Sequence, residues 1–164
     1  MAAHRFLGYP EGDRRRASWD FLRQLSQFVS IPWCMLGDFN AILDVFEKSG
    51  GSVRPRWLIN GFHQAVFDAG LIDIYMDGYP FTWFKSLGNS RAVEERLDRA
   101  LANNEWFRLF PNAKVENLVM HASDHCLILL TKEPTQNLVL RRRNFKFKKA
   151  RCIEPCIHNV VSND

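Results

Sequence analysis

Trp33-Cys34-Met35-Leu36-Gly37-Asp38-Phe39-Asn40 is the stretch from which the rest of the chain can be ordered. Four apolar side chains without alternation describe a short strand buried on both faces, as in layered α/β proteins, and Gly37 is expected to stop it. Upstream, Trp19, Leu22, Leu25, Phe28 and Val29 recur every three to four residues from Asp13 onward. That is one apolar stripe of a helix, with Asp13 or Ser18 as its cap and Pro32 closing the approach to the strand. At the strand's far end, alternation places Asp38 and Asn40 on one side and Phe39 on the other, where ligands of α/β sheets collect. A carboxylate beside an amide suits hydrolysis: the first takes a proton from water, the second holds that water or a phosphate oxygen in line. The same tetrapeptide also reads as a turn in which Asp and Asn bond their own backbone.

Further along, Glu47-Lys48-Ser49-Gly50-Gly51-Ser52-Val53-Arg54-Pro55-Arg56 has the composition of a long surface loop. Trp57, Leu58, Phe62, Val66 and Phe67 then follow at helical spacing, with Gly70 where a C-terminal capping glycine belongs. Leu71-Ile72-Asp73-Ile74-Tyr75, the Asp77-Gly78 turn and Pro80-Phe81-Thr82-Trp83-Phe84 predict a hairpin. Residues 93–101 alternate poorly, Asn103 or Asn104 caps a short turn closed by Pro111, and residues 115–120 and 127–130 are further strand candidates.

Two more groups carry chemistry-bearing side chains. Ser123-Asp124-His125 lies between strand candidates and pairs a metal-binding carboxylate with an imidazole able to stabilise charge on a phosphate oxygen, though alone it also reads as a surface turn. In Glu95-Arg96-Leu97-Asp98-Arg99, a buried Asp98 would accept the His125 ring N–H and fix its tautomer; the alternative is a solvated charge run.

The order of these segments adds what none carries singly. Trp33 with Gly37-Asp38-Phe39-Asn40, Glu47-Lys48 with Gly50-Gly51, and Phe62 with Gly70-Leu71-Ile72-Asp73 come first. Phe81-Thr82-Trp83, Glu95-Arg96-Leu97-Asp98-Arg99, Trp106 with Phe110-Pro111 and Ser123-Asp124-His125 follow. The set resembles the endonuclease/exonuclease/phosphatase superfamily and, within it, the endonuclease domain of plant LINE-type non-LTR retrotransposons, over residues 5–132. The resemblance implies an α/β fold, a two-sheet sandwich with flanking helices, here incomplete because its N-terminal part is missing. It implies a Mg²⁺-dependent phosphodiester hydrolase acting on DNA. Asp38 would activate water, Asn40 orient phosphate or water, His125 stabilise the transition state, Asp98 orient His125, and Asp124 sit at the metal. Phe81-Thr82-Trp83 would be core and pocket wall.

The departures shape the functional expectation. The family's Asn-x-x-Glu-type segment, whose glutamate is the principal Mg²⁺ ligand, has no counterpart here, and Phe6-Leu7-Gly8 places Leu7 where the family shows a tyrosine. Glu11 and Glu47 lie in loops with no spacing that argues for a substitute ligand. A truncated, catalytically impaired endonuclease domain is therefore expected, its partners being DNA and an N-terminal half-domain or a downstream reverse-transcriptase region of a full-length element. Two alternatives stand beside it: a non-catalytic nucleic-acid-binding module, and a retroelement remnant without function.

Composition bounds these readings. At 164 residues, 46% hydrophobic and 24% charged, the chain is expected to be a soluble globular protein with no membrane span and no secretory signal. Cys34, Cys126, Cys152 and Cys156 are too few and too uneven for a disulfide scaffold, which points to reduced thiols in an intracellular, nuclear setting. The +4 net charge is local: residues 141–151 hold seven basic side chains, whereas residues 1–140 carry 15 basic and 16 acidic ones. The chain is accordingly divided into a partial nuclease-like domain, 1–134, and a basic extension or linker, 135–164. In the extension Arg141, Arg142, Arg143, Lys146, Lys148 and Lys149 interleave with two phenylalanines, a pattern suited to phosphate contact and base stacking, or to a solvated linker. Cys152, Cys156 and His158 lack a fourth ligand for zinc, His63 reads as a packing or surface residue, and Gly50-Gly51 lacks the Lys-Ser/Thr of a phosphate-cradling loop.

Overall fold

β1 (Ala2–Leu7), α1 (Arg15–Phe28) and β2 (Trp33–Asp38) form a crossover in which the two strands lie side by side and parallel. The computed structural model describes residues 2–132 apart from 12–13, 29–30, 86–87, 89 and 119–122. The 134/135 boundary, the basic extension, Cys152, Cys156 and His158, together with Asp13 and Val29, lie outside the described residues. β2 pairs antiparallel with β8 (Asp98–Asn103), and β4 (Leu71–Asp73) pairs antiparallel with β8, giving the order β1-β2-β8-β4.

Two apolar layers hold this sheet. On one face Phe6, Met35 and Leu101 pack against Trp19 and Leu22 of α1 and Phe62, Ala65 and Val66 of α2 (Arg56–Asp68). The helices run parallel: Arg16 stands over Trp57, Gly61 abuts the Trp19 ring, and Arg23 bonds Asp68 at 2.8 Å. The opposite face, bearing Cys34, Leu36, Ala100 and Ala102, meets a second sheet of β10 (Leu127–Thr131), β9 (Lys114–Leu118) and β5 (Met76–Asp77). Trp106 and Phe110, at α3 (Asn104–Leu109) and its end, fill the same layer. A third sheet, β3 (Lys48–Ser49), β7 (Val93–Glu95) and β6 (Trp83–Lys85), closes one end.

Several expectations meet their physical reasons here. Gly37 does not stop β2; the strand continues to Asp38, and a Cβ at Gly37 would lie 1.9 Å from the Phe6 carbonyl oxygen, so glycine permits the close approach of β1. Ser18 is not a cap but lies within α1, where its Oγ accepts from the Tyr9 N–H at 3.1 Å. Phe28, Trp57 and Phe67 belong to the helical stripes yet are exposed, because the stripes are wider than the sheet they cover. The hairpin expected over residues 71–84 does not form: β4, β5 and β6 join three different sheets, β4 and β5 taking partners distant in sequence and β6 pairing with the next strand, β7. β8 alternates poorly because both of its faces are buried. Gly70, at φ +63, follows α2 as the left-handed capping glycine, and Asn103 caps α3 by accepting from the Trp106 N–H.

The expected loop at residues 47–56 is partly ordered by ion pairs. Arg99, with no exposed surface, bonds Glu47 at 2.7 Å and Asp73 at 3.3 Å, while Arg96 bonds Asp73 at 2.9 Å. Buried Glu95 is shared by Lys48, at 2.6 Å, and Arg54. Burial by itself would raise the Glu95 pKa, but these two cations outweigh it and hold the carboxyl below its ordinary value.

Candidate active site

Strand register brings the first two acids together. Leu7, Asp38 and Asp98 are neighbours in one row across β1, β2 and β8, at the end of the sheet nearest the third sheet. Side chains in such a row share a face. Here it is the face that, two residues back along β2, packs Leu36 toward the second sheet. The carboxylates thus emerge where the inter-sheet core ends.

His125 reaches Asp98 through a short antiparallel clip. The Phe84 N–H donates to the Asp124 carbonyl and the Cys126 N–H to the Thr82 carbonyl, both at 2.8 Å, with Trp83 and His125 paired between them. The result is a 3.0 Å contact from His125 Nδ1 to Asp98 Oδ2. A carboxylate accepts only from a protonated nitrogen, so Nδ1 carries the proton and Nε2 remains for a substrate. Thr82 sets the other half of this geometry: its buried Oγ1 accepts from the Leu97 N–H at 3.0 Å and the Asp98 N–H at 2.8 Å.

Asn40 and Asp38 adopt the turn reading of their tetrapeptide and stand side by side past the strand end. The Asn40 backbone, at φ +52, donates to Asp38 Oδ1 at 2.8 Å, which is the local turn. Its amide Nδ2 also donates to Asp38 Oδ2 at 2.8 Å and to the Gly8 carbonyl at 3.0 Å. Both amide hydrogens are thereby engaged in holding Asp38 and the segment after β1, and Oδ1 is what the side chain has left for water. Burial pushes the Asp38 pKa up; the Asn40 hydrogen bonds and His125 pull against it, and the Asp98 charge adds to the rise.

Glu95, Asp98 and Arg99 are all buried, so this stretch is not the solvated charge run that was one of its two readings. Leu7 is 72% exposed and offers no polar atom beside Asp38. Glu47 is occupied, accepting from Arg99 and, at 2.6 Å, from the Leu43 N–H. Asp124 is exposed and accepts from Trp83 Nε1 at 3.3 Å. Thr82, fully buried, and Trp83, packed against Ile42, Ile59 and Leu97, lie in the core as the sequence reading expects, and they also support Asp98, His125 and Asp124. The available signal was the inward parity of a lone hydroxyl between two aromatics.

Mg²⁺ takes near-octahedral oxygen ligation. Among the described residues no group of three His, Cys, Asp or Glu side chains is disposed to hold a metal ion. Asp38 and Asp98 are committed to Asn40 and His125, which leaves Asp124 as a single exposed carboxylate. The described donor set does not by itself make a magnesium site.

Residues 1–125 match the sequence profile of the endonuclease/exonuclease/phosphatase family. The chain belongs to this family. Its members are typically dependent on a divalent metal. The endonuclease/exonuclease/phosphatase fold is seen in two similar solved structures. The endonuclease domain of TRAS1, a telomere-specific non-LTR retrotransposon, aligns with a TM-score of 0.53 and 15% identity over 78% of this chain and 54% of its own. The 3′-5′ exonuclease NExo from Neisseria meningitidis aligns with a TM-score of 0.54 and 19% identity over 74% of this chain and 52% of its own. At these identities the likeness is one of fold, and the chain spans about half the length of each structure. No curated protein matches the chain.

Proposed function

We propose that this endonuclease/exonuclease/phosphatase domain is a phosphodiester hydrolase of the DNA endonuclease type, derived from a LINE-type retrotransposon of a plant, with low unaided turnover. The observation that carries the proposal is the meeting of Asp38, Asp98 and His125 at the carboxyl end of β2, with the imidazole held at 3.0 Å by Asp98. In this scheme Asp38 takes the proton of the attacking water, its orientation fixed by Asn40. His125, held by Asp98 through Nδ1–H, acts in its doubly protonated form, donating from Nε2 to the phosphoryl oxygen on which charge develops. The order of motifs supports the retrotransposon origin, as does the fold shared with the TRAS1 endonuclease domain. The low turnover follows from the scarcity of metal donors, Asp124 being the one candidate ligand. Arg141, Arg142, Arg143, Lys146, Lys148 and Lys149 would add phosphate contacts.

Nicking of supercoiled plasmid by the purified full chain, with and without Mg²⁺, tests this. Slow nicking that disappears in both Asp38→Ala and His125→Ala is expected. Nicking that persists in both variants overturns the assignment. The scarcity of metal donors also favours a second reading, binding of nucleic acid without chemistry. Salt-dependent binding with no nicking at any metal concentration, lost on deletion of residues 141–151, is its signature.

A further inference from the structure

Cations at the start of a helix oppose its dipole, so arginines gathered there are poorly placed for stability. α1 and α2 both begin this way. Arg14, Arg15 and Arg16 stand at the first turn of α1, Arg56 opens α2, and neither first turn contains an acid. The helices are parallel neighbours, which sets their two starts side by side. Because α1 returns between the parallel strands β1 and β2, its start lies at the carboxyl ends of those strands, the end that carries Asp38. Arg15 is close enough to Asp38 for their charges to interact.

The cations are also unspent. Arg14, Arg16 and Arg56 are exposed and make no ion pair with a described residue. Two are propped against rings: the Arg14 guanidinium lies 4.0 Å from the centre of Tyr9 and that of Arg16 lies 5.4 Å from the centre of Trp57. A stacked guanidinium keeps its edge donors free and gives up little rotamer freedom on binding an anion. Arg15 donates to the Pro10 carbonyl at 2.9 Å, while its Nε, though buried, has no partner. No side chain caps the first turn of α2, where Pro55 is the cap residue and its carbonyl accepts from the Leu58 N–H, which leaves the Arg56 and Trp57 N–H groups without a side-chain cap.

We propose that Arg14, Arg16 and Arg56 form a track for the phosphate backbone of DNA, leading the strand to Asp38 and His125. This rests on the hydrolase assignment for the identity of the polyanion and on the arginine geometry for its path. The partner is recognised by the spacing of its phosphates, with no base readout.

The test uses the full chain in EDTA, so that nothing is cut, and a fluorescein-labelled DNA duplex of about 20 base pairs read by anisotropy. Three phosphate contacts predict that Arg14→Ala/Arg16→Ala/Arg56→Ala lowers the slope of log affinity against log salt by roughly 2–3 and weakens binding about tenfold or more. The corresponding triple lysine variant keeps most of the slope, and circular dichroism verifies that both fold. An alanine variant with the parent's affinity and slope overturns the track, as does a lysine variant as weak as the alanine one. The two assignments fail separately. Arginine-dependent binding without any nicking leaves the track and removes the hydrolase, whereas nicking with arginine-independent binding does the reverse.

Discussion

Asp38 is ionisable, half enclosed and faced by a second carboxylate across one strand pair, which makes its protonation the property most sensitive to its surroundings. A general base works only when ionised, so a pKa raised by burial moves the acid limb of the nicking profile upward. The expected profile falls off on the acid side above the ordinary carboxylate value of 3.8, and measurement of nicking rate against pH checks it. The sign for stability is the opposite of that for a salt-bridged acid, because the folded state disfavours the charge. The parent's melting point should therefore rise relative to that of Asp38→Asn as pH falls from neutral through the raised pKa, while that variant leaves one of the two Asn40 donors without its acceptor at every pH. Asp38 was legible in the sequence because parity along a strand is a local property, whereas Asn40 lies past the end of β2 at φ +52 and meets Asp38 through the turn. What Asn40 does was not legible, since Gly8, which accepts one of its amide hydrogens, lies 32 residues earlier. The pairing of Asp98 with His125 was one of two readings of its stretch until the resemblance favoured it, because nothing in either short motif states which strand will lie beside which.

Among elements, the same division holds. Helical periodicity gave α1 and α2, Gly70 marked the end of α2 and Asn103 the start of α3, through conformational demands that need no distant partner. Strand pairing is non-local, and so residues 71–84, with turn chemistry in the right place, still distribute themselves among three sheets. β6 and the segment leading into it show what such pairing achieves. Thr82→Val keeps the shape but strips the acceptor from two buried N–H groups, those of Leu97 and Asp98, and should cost about 1–3 kcal/mol in urea denaturation. Thr82→Ser restores the acceptor and should recover most of that loss. The loop between β2 and α2 is tied down by a different device. Arg99→Met removes one of the two arginines shared by half-buried Glu47 and Asp73, Arg96 being the other, a loss of up to about 3 kcal/mol by the same measurement. The double variant Arg99→Met/Glu47→Gln should regain part of it, since one of the stranded charges is then gone.

On the scale of the molecule, two sheets and a pair of parallel helices place the Asp38, Asp98 and His125 side chains and the arginines of the helix starts at one end, although the chain spans about half of the related structures. Net charge concealed this arrangement, because the 15 basic and 16 acidic side chains of residues 1–140 nearly cancel while their positions do not. The clip that joins residues 82–84 to 124–126 has a further consequence. Synthesis runs from the amino terminus, so Asp38 emerges first, Asp98 second and His125 last. A growing chain can assemble its central strands and still lack the imidazole that completes the trio, because closing long loops comes late in folding. Under the proposed assignment, the completed trio is thereby withheld from every unfinished copy by the order of translation and without any inhibitor.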